Sequence, residues 1–199
     1  MTDQSTVRQH ILDAARPVIL HKGFTAAGLS EILRCAAVPK GSFYHYFKSK
    51  ELFGEAMLEA YFSDYLARLD GLLTDTGEPA AQRLMGYWSL WMETQLAEDP
   101  VGKCLAVKLS GEVSDLSEAM RCALHKGTSR IVERLSRCIE EGRIDGSVSS
   151  SLSSNQLAEA LYQMWLGATL LTKVRRDDSA LKTAMHSTRA ALGLAACRT

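Results

Sequence analysis

The chain has 199 residues, 46% hydrophobic and 23% charged, with 23 Lys and Arg balancing 23 Asp and Glu. High apolar content at zero net charge excludes disorder as the dominant state, and the length suits one medium domain or a small domain fused to a larger one. No apolar run reaches the roughly 18 residues that span a bilayer; the best, 157–171, is interrupted by Glu159 and Gln163. The start of the chain lacks a basic stretch followed by an apolar core, so a cytoplasmic, reducing location is expected, with no membrane partner. The five cysteines (Cys35, Cys104, Cys122, Cys138, Cys197) make no CxxC pair, and the five histidines make no HxxxH or HExxH spacing. Neither a disulfide framework nor a metal site is expected, and no cofactor motif is present.

The zero net charge hides an asymmetry. Residues 1–50 carry seven basic groups against three acidic ones, whereas 51–100 carry two against ten. A basic head beside an acidic shoulder points to an anionic partner for the head, although a solvated surface can fluctuate this far by chance.

Helical periodicity dominates, so an all-α fold of about nine helices is expected, three in a small head and six in a larger body. Over 6–21, Val7, Ile11, Ala14, Ala15, Val18 and Ile19 form one stripe. Pro17 should kink that helix or shift its boundary, and Gly23 suits a left-handed stop. Short helices fit 28–36 and 40–46, the second entered through Pro39 as its first residue, with Ala36-Ala37-Val38 as a tight turn: a helix-turn-helix. Ser49 can cap a helix reaching Leu72. Thr74–Glu78 is a loop, and Pro79 opens a helix to about Ala97. Asp99-Pro100-Val101-Gly102 is a break. Helices follow at about 103–111 and 116–142. Ser153 with Gln156 signals a capping box for a helix over 154–174, and Asp178 can cap a last one to about Ala196. The apolar faces of these last two helices suit either a core or a symmetric dimer seam.

The informative stretch is KGSFYHYFKSKELF, residues 40–53. Phe43 and Phe47, four apart, share a face that can be buried. Lys40 stands at a helix start, where side chains reach base edges. Gly41 allows close approach of a groove or phosphate. Ser42, Tyr44 and Tyr46 bring hydroxyl donors, and Lys48 and Lys50 bring charge, all suited to phosphate oxygens. An aromatic cluster of this kind is also ordinary core.

The span from about 8 to 54 resembles the DNA-binding head of the TetR family of bacterial transcriptional repressors. The resemblance rests on ILDAA (11–15), Gly23-Phe24-Thr25, Leu29-Ser30-Glu31-Ile32-Leu33 and KGSFYHYFKSKELF. It implies a DNA-binding domain over 1–48 and an effector-sensing and dimerisation domain over 49–199. It also implies a homodimer that binds double-stranded DNA at a palindromic operator and lets go when an effector is sensed. By resemblance, Ser30, Lys40 and Gly41 approach bases, Ser42, Tyr44, Tyr46 and Lys50 grip phosphates, and His45 does either. Three positions depart from the family pattern. Ala27 replaces the Ser/Thr cap of the second helix, so Thr25 or water is expected to take its place and the helix start to shift. Ala37 replaces the turn glycine, so the turn is expected to avoid positive φ. Pro39 replaces the serine cap of the third helix.

Residues 102–121 and 161–174 further resemble the N-ethylmaleimide reductase repressor subgroup, whose relatives sense reactive electrophiles and oxidants through cysteine. The match places Cys104 at the sensing position. Cys104 falls at a helix start after Gly102, with Lys103 adjacent and Lys108 at i+4, an arrangement that favours a thiolate. Trp165, Thr169 and Lys173 share one helix face, so Lys173 can bring a further cation. The other four cysteines read as small buried hydrophobes. An alternative is a reversible apolar ligand among Trp88, Trp91, Met92, Tyr162, Met164 and Trp165, all of which are also good core residues. An enzyme with Cys104 as nucleophile lacks a neighbouring base and oxyanion site, so no catalytic activity is expected.

Overall fold

Apolar residues at helical spacing give helices wherever the pattern occurs. The structure, a computed structural model, describes residues 2–97 and 104–194, with side chains from Thr6 onward. Among the described residues there are nine α-helices and no strand: α1 (Thr2–Lys22), α2 (Leu29–Cys35), α3 (Lys40–Tyr46), α4 (Lys50–Leu73), α5 (Ala80–Leu96), α6 (Leu105–Val113), α7 (Glu118–Ile144), α8 (Ser154–Arg175) and α9 (Ser179–Ala191). None is long and apolar enough to cross a membrane. The break at 99–102, Lys103, Cys197 and the predicted helix end near Ala196 lie outside the described residues.

Helix α1 runs through Pro17, which faces solvent, while Ile11, Ala15 and Ile19 are buried. It stops at Gly23 (φ 91°), whose N–H returns to the Ile19 carbonyl at 2.8 Å. Four details differ from the sequence-based expectation. The cap of α2 is Gly28, with no side-chain hydrogen bond, because Ala27 is fully buried and serves packing instead. Pro39 is the extended residue before α3 (φ −70°, ψ 155°), one position earlier than expected.

Ala37 adopts positive φ (52°) rather than avoiding it. The cause is the way α2 ends: Val38 N–H bonds to Leu33 O and Ala37 N–H to Arg34 O, a closure that requires a left-handed residue between helix and exit. Asp178 precedes α9 without capping it, since its carboxylate pairs with Lys182 at 2.7 Å; Asp177 accepts the Ser179 N–H instead. By contrast, Ser49 caps α4 through the Leu52 N–H, and the Ser153–Gln156 capping box forms as expected.

The chain gathers into two compact units, Met1–Asp64 with Glu98–Gly127 and Tyr65–Ala97 with Thr128–Thr199. The first is centred on Ile11, Phe24, Ile32, Phe43 and Phe53, all essentially inaccessible. The second is centred on Trp88 and Trp165, stacked with ring centroids 4.9 Å apart. The Trp165 indole N–H donates to Thr188 at 2.9 Å and that of Trp91 beside them to Thr169 at 2.9 Å, whereas the buried Trp88 N–H meets no acceptor among the described residues. The polar start of α5 is satisfied within the same unit by Asp145 and Ser147, which accept the Ala80 and Ala81 N–H groups.

Candidate functional site

Helix α3 has two unlike faces because aromatic residues recur every four positions. Phe43 is 0% exposed and packs on Phe47 and Phe53, with centroids 5.3 Å from each. Lys40, Gly41, Tyr44 and His45 are exposed, Tyr44 at 48%, while Ser42 and Tyr46 are half-buried. A Cβ at Gly41 would meet no atom of the chain, so internal packing does not demand the glycine. Ser30 is exposed on α2, and Lys48 is exposed just beyond α3. Cations, hydroxyls and a bare backbone are therefore exposed on α3 and beside it, a composition suited to phosphate and base edges.

Polar contacts add to this packing in holding the two short helices in place. A ring nitrogen of His10 on α1 is 2.9 Å from the Ala36 carbonyl in the turn. Lys22 pairs with Glu31 at 2.8 Å, and that hydrogen bond holds the Glu31 carboxyl below its ordinary range. Lys50 is half-buried, and its ammonium is occupied locally. It donates to the Phe24 carbonyl at 2.9 Å and the Thr25 carbonyl at 3.3 Å, and lies 4.9 Å from the Phe24 ring centroid.

The four residues of the predicted sensing set divide between the units. Cys104 and Lys108 belong to the first, Trp165 and Lys173 to the second. Cys104 is the N-cap of α6 and only 6% exposed. The Tyr61 hydroxyl donates toward its sulfur at 3.9 Å, and the Arg16 guanidinium lies 5.2 Å from the Tyr61 ring centroid. The Lys108 ammonium is 3.5 Å from the His21 carbonyl. Trp165 is 0% exposed in the aromatic core, and Lys173 is exposed on α8.

The other described cysteines sit in different settings. Cys35 and Cys122 are exposed rather than buried, because each lies on the outward face of its helix. The Cys122 thiol donates to Glu118 at 3.3 Å, which pushes its pKa up. Burial pushes the Cys138 thiol up to about 11. Tyr61 and Arg16 were not legible as site residues. In the sequence Tyr61 is one member of an apolar stripe, and its partner is 43 residues away.

Residues 11–57 match the family described as bacterial regulatory proteins, tetR family, and residues 80–188 match the tetracyclin repressor-like C-terminal domain. The chain belongs to the TetR family. This TetR-family chain is 42% identical over 178 residues to the HTH-type transcriptional repressor NemR of Escherichia coli strain K12, covering 89% of each protein. It is 35% identical to the HTH-type transcriptional repressor DhaR of Mycobacterium sp. strain GP1, covering 89% of this chain and 88% of that one. The crystal structure of E. coli NemR in its reduced form matches with a TM-score of 0.90 at 41% identity, covering 96% of this chain and all of that one. The chain is thus a DNA-binding transcriptional repressor of the TetR family, close to NemR, and not an enzyme.

Proposed function

We propose that this TetR-family repressor acts as a homodimer on a palindromic operator and leaves it when Cys104 reacts with an electrophile or oxidant. The head over 1–48 reads DNA: Ser30, Lys40 and Gly41 meet bases, Ser42, Tyr44, Tyr46 and Lys50 meet phosphates, and His45 meets either. The body over 49–199 pairs the two chains, with the exposed Leu170, Leu171 and Val174 of α8 as part of the seam. Reading a palindrome needs two recognition helices about 34–36 Å apart, one turn of DNA.

One observation carries the cysteine reading. The Cys104 sulfur meets a hydroxyl donor at a helix N-terminus, inside the same compact unit as the DNA-facing helices. A donated hydrogen bond and a helix N-terminus favour the thiolate, the reactive form, and burial opposes it. The thiolate then adds to an electron-poor carbon, forming an S–C bond, and the electrophile takes up a proton. The added bulk has no room beside a buried sulfur, so the local packing must change. Lys108, Trp165 and Lys173 complete the sensing set on the strength of the family resemblance. The similar E. coli NemR has a crystal structure in a reduced form, which supports reading a redox-sensitive state into this chain.

The test uses a DNA fragment selected in vitro by the protein itself. Affinity is measured before and after sub-stoichiometric N-ethylmaleimide, for wild type and Cys104→Ser. Loss in wild type alone is expected. Equal loss in both proteins overturns the cysteine role, and a reversible apolar ligand that weakens binding by Cys104→Ser favours non-covalent induction instead.

A further inference from the structure

The turn between α1 and α2 is held by side chains from two other helices. The Phe24 and Thr25 N–H groups donate to the two oxygens of the Glu112 carboxylate, at 3.1 and 2.5 Å. The carbonyls of the same two residues accept from Lys50. All four backbone groups of this dipeptide are thus claimed by one carboxylate from α6 and one ammonium from α4. Backbone groups in a turn between helices have no helical partner and need one from elsewhere. One turn earlier on α6, Lys108 approaches the His21 carbonyl at the end of α1. The carboxylate also explains Gly23: a Cβ there would lie 2.8 Å from Glu112 Oε2, quite apart from the positive φ.

The position of Glu112 gives this contact a second meaning. Cys104 caps the start of α6, and Glu112 lies eight residues on, about 12 Å along a rigid helix. From the far end of α6, the carboxylate holds the turn that sets α2, and through it α3, against α1.

We propose that Glu112 is a positioning residue for operator binding: its carboxylate grips the Phe24–Thr25 turn, and release of that grip is how a change at the Cys104 end of α6 reaches the DNA-binding helices. The signalling half rests on the Cys104 reading; the positioning half does not. A carboxylate bonded to two amides is a fastening sensitive to small shifts, because a displacement of about 1 Å breaks the Phe24 bond and stretches the Thr25 bond to its limit. Small displacements of α6 are thereby converted into a free or held turn.

The experiment uses the full-length protein as Glu112→Ala and Glu112→Gln, the second keeping an acceptor oxygen and the side-chain volume. Three quantities are read: hydrogen exchange of the Phe24 and Thr25 amides, affinity for the selected DNA fragment, and the fold-loss of affinity after N-ethylmaleimide. Removing the carboxylate is expected to expose both amides and to weaken binding by the reduced protein about tenfold, the scale of two charge-assisted hydrogen bonds in a partly exposed setting. Alkylation should then add little, although Cys104 is modified to the same extent as in wild type. Glu112→Gln should fall between.

Unchanged exchange and affinity in Glu112→Ala overturn the proposal. So does a full wild-type fold-loss on alkylation of that variant, which would leave the carboxylate a mere stabiliser. If wild type itself ignores the alkylating agent, the Cys104 reading fails, and affinity and amide exchange alone decide the positioning role.

Discussion

The Tyr61 hydroxyl lies 3.9 Å from the Cys104 sulfur, and the ring that carries it has the Arg16 guanidinium 5.2 Å from its centroid. A residue of α4 therefore reaches the buried thiol at the head of α6, and a residue of α1 lies against that tyrosine ring. A donor at the sulfur stabilises the thiolate more than the thiol. Tyr61→Phe should slow alkylation of Cys104 at neutral pH by about three- to tenfold, given a net worth of roughly 1 kcal/mol for such a bond. Rates followed against pH by mass spectrometry check this; an unchanged rate means the hydroxyl does not act on the sulfur.

Ala37 carries a conformational cost that the fold imposes. At φ 52° its Cβ crowds the following carbonyl. Ala37→Gly should stabilise the head by about 0.5–1 kcal/mol, the left-handed penalty less the entropy that glycine loses on folding. Thermal unfolding measures it, and a destabilised variant would show that the alanine methyl contributes packing that outweighs the strain.

In the second unit, the Trp165 indole depends on Thr188, both residues being fully buried. Thr188→Val keeps the shape and removes the acceptor, leaving a buried N–H without its partner. A loss of about 1–3 kcal/mol is expected in chemical denaturation.

The Glu112 carboxyl has a pH consequence. Burial raises its pKa, but hydrogen bonds from Thr25 and Phe24, with help from Lys108, outweigh this, and the net displacement is downward from 4.5. A carboxyl with a lowered folded pKa contributes stability that is fully present above its unfolded pKa and is lost as pH falls through the folded value. Acid should therefore loosen the α1–α2 turn only below the ordinary carboxylate range, seen as faster exchange of the Phe24 amide. Glu112→Gln should remove that dependence.

On DNA, Lys40→Ala should relax base preference at one operator position. Lys50→Ala should weaken binding to all sequences about equally, because it removes a cation and also frees the Phe24 and Thr25 carbonyls. The salt slope separates these two roles: a direct phosphate contact lowers it by about one. An unchanged slope makes Lys50 a brace for the turn alone.

Much of the head was readable residue by residue. Phe43 and Phe47 stand four apart, so their burial and the exposure of Tyr44 follow from the helical period alone. Ser49 and the Ser153–Gln156 box cap their helices through partners three residues away. Such features are local, spanning one turn of chain, and the amino-acid order by itself determined them, together with the nine helices of the described residues and the exposed Lys40 and Tyr44 on the third. Tertiary structure decided the rest. The Glu112 carboxylate finds Thr25 across 87 residues and the Tyr61 hydroxyl finds Cys104 across 43. Ala37 takes a left-handed conformation only because Val38 must return to Leu33 before the chain enters α3. Periodicity specifies which side of a helix is apolar; it carries no information about which distant backbone will bring its unpaired groups to that side, and those unpaired groups select the partners.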